Sequence, residues 1–325
     1  MSLAHLVKDV GGVALYEGAP KVVKRLSRRR LVRLAERLGD LVRVATPTDV
    51  ELMRDELTKT LGTDTVLPAD EVIRRAFHLR MLNELEVLRY PSLGPHNISG
   101  TAIVEGKHRL DAALAEGRGA IVMIGHFGAN QMIMPALGYT GYPMNQISAP
   151  PTAWLDIRAD GRVNPLFRRV QEKRWGLEQA LPTQHIDVFG FMRPAYQCLD
   201  RGEILGLACD GGGGSRWVPM PLGRRTAWVP TQPWQLARST RAPVLSCVVL
   251  HTGRQVVHRV ILAEPFVVEK TRDKIADVGR AAERFGRWLS GWIRQYPHHY
   301  LPYLLLRRKV ADTDARPFFD DYPSD

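Results

Sequence analysis

The stretch GAIVMIGHFGANQ, residues 119 to 131, runs an apolar segment straight into Gly-His-Phe-Gly. His126 is the side chain there that can accept a proton and return it. A neutral imidazole at the end of a buried strand can take a proton from a hydroxyl or amine as that group attacks a carbonyl. Gly125 and Gly128 would let the backbone turn tightly and a substrate come close, with Phe127 and Asn130 beside them as substrate contacts. Without those glycines, a histidine merely hydrogen-bonded in a strand-to-helix turn would be the better reading. One helical turn beyond His126 stands Gln131, an amide where a base would be helped by an acid.

A second candidate is CDGGGGSRW. Asp210 ends another apolar run, ILGLAC, and would lie along the same sheet edge as His126. Gly211 and Gly212 open a run of four glycines whose backbone N–H groups can form an anion nest; a turn closed by an aspartate is the plainer alternative. Gly-Lys-Ser/Thr is missing, so this is not a P-loop, and no helix follows at the spacing a dinucleotide fold needs. Arg158, Arg162, Arg168, Arg169, Lys173 and Arg174 crowd 17 residues. Guanidinium groups suit phosphates, although most of such a run can equally be a solvated helix face. Gly-x-Ser-x-Gly, His-Glu-x-x-His and paired Cys-x-x-Cys are absent, which argues against a covalent nucleophile and against a metal site.

These groups need a frame to position them. Strands alternate with helices through the middle of the chain: TAIVEG, AIVMI, MNQISAP, EILGLACD, PVLSCVVLH and QVVHRVILAEPF read as strands, with helical segments between them. That alternation predicts an α/β fold with a largely parallel or mixed central sheet flanked by helices. NPLFRRVQEKRWG has Asn164 as cap, Pro165 in the first turn and Gly176 at the end. The expected organisation is a helical, basic segment over 1–80, an α/β domain over 81–310 and an acidic, loosely packed tail over 311–325.

The 325 residues carry a net charge of +11 and 45% hydrophobic residues, enough for a full core. Three cysteines are too few for a disulfide framework and fit a reducing, cytoplasmic setting. No apolar run is long enough to span a bilayer, and MSLAHLVKDVGGVAL does not read as a signal peptide. Between Lys21 and Arg43 stand nine basic and two acidic residues, a net of +7. Leu31, Leu34, Leu38 and Leu41 fall at helical spacing with Ala35 and Val42. Such a helix either lies on an anionic membrane with its arginines at the headgroups or packs on its own domain with a solvated basic face.

EGRGAIVMIGHFGANQ resembles the bacterial lipid A biosynthesis acyltransferases of the lauroyl/myristoyl type, within the lysophospholipid acyltransferase superfamily. RVNPLFRRVQEKRWG, LDRGEILGLACDGG, VPMPLGRRTAWVPTQPWQLARSTRAPVLSCVV and YPHHYLPYLLLRRK resemble further blocks of that family, in its order, over roughly residues 20 to 309. The resemblance implies transfer of a fatty acyl group from an acyl-thioester, on carrier protein or coenzyme A, to a hydroxyl of a lipid or glycolipid, with no other cofactor. It implies His126 as general base, with an acid five residues on. Here that position is Gln131, which can fix a ring tautomer but cannot offset charge on the imidazolium; in serine proteases the carboxylate-to-amide change costs about 10⁴ in turnover.

Three readings follow. Another carboxylate takes the acid's place, Asp210 first and Asp187 behind it. The acceptor is an amine, which needs a weaker base. Or the fold persists without efficient transfer, as a lipid-binding protein or a thioesterase-like hydrolase. Phosphate of donor or acceptor would be held by Arg158, Arg162, Arg168 and Arg169 with Arg224 or Arg225, and Asn164 would join them. The glycine-rich backbone at 125–128 and 211–214 would stabilise an oxyanion. Met132, Met134 and Trp154 would line an acyl tunnel or else be core. The basic amphipathic start implies a peripheral protein on the inner face of the cytoplasmic membrane, and nothing resembles a nucleic-acid module.

Overall fold

The longest strand among the described residues occupies the centre of its sheet. In the computed structural model, which describes residues 16, 18–63, 65–153, 165–252, 258–311 and 315–322, strands β1 (Ala102–Glu105), β2 (Ala120–Gly128), β3 (Met144–Ser148), β4 (Gln184–Asp187), β5 (Ile204–Ala208), β8 (Val244–His251) and β9 (His258–Leu262) form one sheet. Its order is β1-β9-β8-β2-β5-β3-β4. β2 pairs in parallel with β8 and β5. It alternates Ile121, Met123 and Phe127 into the core on one face with Ala120, Val122 and Ile124 into the core on the other. Burial on both faces is why it reads as an unbroken apolar run. β9 turns back antiparallel to β8, and β1 follows it. The expected α/β class, with a mixed sheet and an N-terminal helical region, is the observed one.

β6 (Trp217–Leu222) and β7 (Arg225–Pro230) form a separate antiparallel hairpin that the sequence reading passed over. Pro219 and Pro221 mask β6, because proline normally argues against a strand; here both point away from the core while Val218, Met220 and Leu222 are buried. The short, polar β4 was missed for want of any apolar pattern.

Among the described residues the helices longer than four residues are α1 (Arg28–Ala45), α2 (Pro47–Leu61), α3 (Ala69–Val87), α4 (Lys107–Ala115), α5 (Ile133–Gly138), α6 (Pro165–Glu178), α7 (Arg193–Asp200), α8 (Gln232–Thr240), α9 (Lys274–Gln295) and α10 (Leu301–Lys309). α1 packs on α3 by Leu31, Val32, Ala35 and Gly39. The two backbones cross so closely that a Cβ on Gly39 would lie 2.8–2.9 Å from His78. The apolar face of the basic helix is therefore spent inside the protein. Leu41 and Val44 lie outside that face, at 65% and 73% exposure. α6 runs through Gly176 to Glu178 rather than ending at the glycine.

The expected boundary at residue 80 falls inside α3, whose Val72, Ile73 and Phe77 share a core with the sheet. The expected loose tail is likewise corrected: Phe318, Phe319 and Tyr322 are buried. Phe319 bridges to Ala227, and Trp228 N–H bonds the Phe318 carbonyl at 2.8 Å.

Candidate active site

Because β2 and β5 are parallel neighbours, their C-terminal ends emerge side by side. β2 carries His126 within its last turn of strand, where its register on β8 slips between Ile124 and Gly128. Asp210 stands two residues past β5. The His126 ring Nδ1 lies 2.7 Å from Asp210 Oδ1, and the His126 backbone N–H donates to Oδ2 at 2.8 Å. The Tyr300 hydroxyl donates to the same Oδ2 at 2.9 Å, and the Tyr303 hydroxyl donates to the Asp210 carbonyl. The His126 ring stacks on Tyr303, centroids 4.2 Å apart and nearly coplanar at 5°. Asp210 is fully buried while 37% of the His126 side chain is exposed.

Burial alone would push the Asp210 carboxyl up. The facing His126 and the hydrogen bonds from its ring, its backbone and Tyr300 outweigh burial and hold the carboxyl below its ordinary value. Burial, with Asp210 beside it, raises the Tyr300 hydroxyl far above its ordinary value, so it remains a donor. With Nδ1 committed to Asp210, Nε2 is the ring nitrogen left to act.

His126 borders a pocket of about 260 Å³ with Arg80, Asn83, Glu84 and Tyr90 from the α3 region and Asn130, Gln131 and Arg174 opposite. Gln131 does not serve His126. Its Oε1 accepts from the Tyr90 hydroxyl at 3.2 Å and from Arg174 at 3.3 Å, and its amide faces the Glu178 carboxylate, which it helps to hold down. Arg174 also pairs with Glu178 and, at 3.4 Å, with Glu84. Burial would lower Arg174; the two carboxylates outweigh it and hold the guanidinium above its ordinary value.

The two glycines beside His126 have different reasons. Gly128 has φ +66°, and a Cβ there would sit 2.0 Å from the Val249 carbonyl oxygen. Gly125 makes room for the carboxylate, not for substrate: a Cβ would lie 3.2 Å from Asp210 Oδ2 and 3.1 Å from Leu289. Phe127 is wholly buried between the His299 and Tyr300 rings, so it is core rather than a substrate contact. Met132 and Met134 are core as well.

Of the described cations in the basic 158–174 run, Arg174 borders the pocket. Arg168 and Arg169 lie on α6 outside it, and Arg158, Arg162, Asn164 and Trp154 fall outside the described residues. Arg225 is structural. It pairs with Glu56 at 2.7 Å and with Asp321, and it stacks 3.4 Å from the Phe319 ring centroid. Arg224 packs over the end of α2, its N–H bonding the Thr60 carbonyl at 2.8 Å. Gly211 and Gly212 do not line the pocket. Asp187 sits on edge strand β4, three strands from β2, and accepts from Phe189 N–H. A wider cleft of about 900 Å³ lies elsewhere, between the start of β6 and the first turns of α8 and α9. No group of three His, Cys, Asp or Glu that could hold a metal ion occurs among the described residues.

A model of the bacterial lipid A biosynthesis acyltransferase family matches residues 4–309. The chain belongs to that family. It is an acyltransferase of the lipid A biosynthesis type. No curated protein matches the acyltransferase at a significant level. No described helix of the acyltransferase is long and apolar enough to cross a membrane.

Sequence reading missed several residues around the acyltransferase's pocket. Arg80, Asn83 and Glu84 recur at i, i+3 and i+4 on α3, a polar stripe beside the apolar face of Val72, Ile73, Phe77 and Leu79. Tyr300 and Tyr303 share the i, i+3 spacing beside Asp210. Those spacings were the available signal; nothing local said which strand end they would face.

Proposed function

We propose that this acyltransferase works by general-base catalysis from His126, with Asp210 in the role of the acid. The observation that carries the reading is the Nδ1–Oδ1 contact of 2.7 Å to a buried carboxylate, which leaves Nε2 for chemistry. The donor is an acyl-thioester, on coenzyme A or carrier protein, and the acceptor is a lipid hydroxyl.

Nε2 takes the acceptor's proton as its oxygen attacks the thioester carbonyl carbon. The imidazolium that forms is offset by Asp210 at hydrogen-bond distance, in a site where burial strengthens the attraction. The tetrahedral intermediate collapses with loss of the thiolate, which takes the proton back from Nε2. Ester and thiol are the products, and the base is restored. The backbone N–H of His126 is occupied by Asp210, so it does not serve as oxyanion donor; the Asn130 amide, which borders the pocket, is the nearer candidate for that role. Peripheral attachment to the inner face of the cytoplasmic membrane fits a lipid acceptor and a chain of net charge +11.

The test is to incubate the purified protein with labelled acyl-CoA or acyl-carrier protein and a lipid extract, then to identify by mass spectrometry what gains the acyl group. His126→Ala should abolish the product while leaving the circular dichroism spectrum unchanged. Retention of full transfer by that variant would sink the reading. Free fatty acid from wild type with no acylated lipid would point to the hydrolase instead.

A further inference from the structure

Folding leaves a group of large apolar side chains in water just after β4. Val188 is 39% exposed, Phe189 49%, Phe191 93% and Tyr196 40%. Single exposed apolar residues need no explanation; a group along one short stretch marks a contact surface. The stretch is held in place rather than trailing. Val188 N–H bonds the Ser148 carbonyl at 3.0 Å, Phe189 N–H bonds Asp187 Oδ1 at 3.0 Å, and Gly190 N–H bonds the Asp187 carbonyl at 3.1 Å.

Its location follows from the sheet. β4 is parallel to β3, β3 to β5 and β5 to β2. The chain leaving β4 therefore opens on the same sheet edge as His126, three strand spacings or about 14 Å to the side. Arg193, exposed at the start of α7, follows Phe191 by two residues. The other candidate surface, the apolar face of α1, is already buried on α3.

We propose that Val188–Tyr196 is this protein's contact with an anionic bilayer. Phe189 and Phe191 enter the interfacial layer, where aromatic rings are favoured, and Arg193 meets the headgroups. The contact turns the His126 edge toward the membrane, so a lipid acceptor can present its headgroup to the pocket without leaving the bilayer. The purpose rests on the lipid-acceptor reading above; the binding itself does not.

Co-sedimentation with vesicles of phosphatidylglycerol and phosphatidylethanolamine tests it. Phe189→Ser/Phe191→Ser should lower partitioning by about tenfold or more, while Leu41→Ser/Val44→Ser on the outer side of α1 should not. The three native cysteines are all buried, so Phe191→Cys can be labelled selectively with an environment-sensitive dye. Its emission should shift to the blue on adding vesicles and be quenched by lipid-borne quenchers.

Equal sedimentation of the phenylalanine variant, loss of binding in the α1 variant instead, or no dye shift would overturn the proposal. So would a wild-type dimer in solution that the phenylalanine variant breaks, since the patch would then be covered by a second copy. Acyl transfer measured in the same samples separates the two readings: a protein that binds through the phenylalanines but transfers nothing leaves the contact standing and removes the catalytic reading.

Discussion

At the residue scale, the arrangement divides two jobs that one acid might have done. Asp210 orients and balances His126, while Gln131 joins Tyr90, Arg174 and Glu178. Asp210→Asn keeps the shape but loses the charge, so kcat should fall by about 10³–10⁴, by analogy with the serine-protease triad; single-turnover kinetics would show whether the loss is in the chemical step. Gln131→Glu should not raise kcat. It would set a third carboxylate beside Glu84 and Glu178 around the Arg174 guanidinium, and an ionised carboxylate cannot donate to Glu178. We expect stability to drop by about 1–3 kcal/mol at pH 8, with the deficit shrinking on acidification as a carboxylate of the cluster takes a proton. Denaturant titration at two pH values measures both. A gain in turnover from Gln131→Glu would show that the amide limits the rate.

At the element scale, the slip in β2 carries the site. Between Ile124 and Gly128 the strand advances more than its neighbour β8, so the His126 ring clears the sheet and lies on Tyr303. Gly128 closes this excursion at positive φ, hard against the Val249 carbonyl. Gly128→Ala should cost more than about 2 kcal/mol, from strain and from collision with backbone that cannot retreat. Chemical denaturation compared with wild type would reveal it; an unchanged midpoint would mean the turn is less constrained than its geometry says. The spacing His-Phe-Gly was legible in the sequence. That one glycine serves a turn and the other a carboxylate was not, because Asp210 lies 84 residues away.

At the scale of the whole molecule, a buried and two half-buried histidines behind β2 shape how the fold responds to acid. Burial pushes His251 down to about 3 and His298 down to about 4, and it holds His299 well below its ordinary value. In the unfolded chain each takes up a proton near pH 6.5. Between those values the unfolded state binds more protons, so this stability is complete above about pH 6.5 and is lost as pH falls toward 4 and 3. Melting temperature should therefore decline steadily below pH 6.5, and a flat profile down to pH 4 would contradict it. The C-terminal segment is equally part of the fold: Phe319→Ala, emptying a side chain 1% exposed, should cost about 3–5 kcal/mol, measurable by urea unfolding.

The sequence by itself determined the fold class, the family and the strand that delivers His126. Apolar periodicity and the order of motif blocks are local properties, and burial of a parallel strand on both faces leaves an unbroken hydrophobic run. Only the tertiary structure decided which partners those elements would have. It placed Asp210 on Nδ1 and Gln131 away from it, set Arg225 against Glu56 and the terminal aromatics, buried the apolar side of α1 and drew the end of the chain into the core. Each of those pairings joins residues distant in sequence. Sheet order and helix packing select them, and no spacing along the chain encodes that choice.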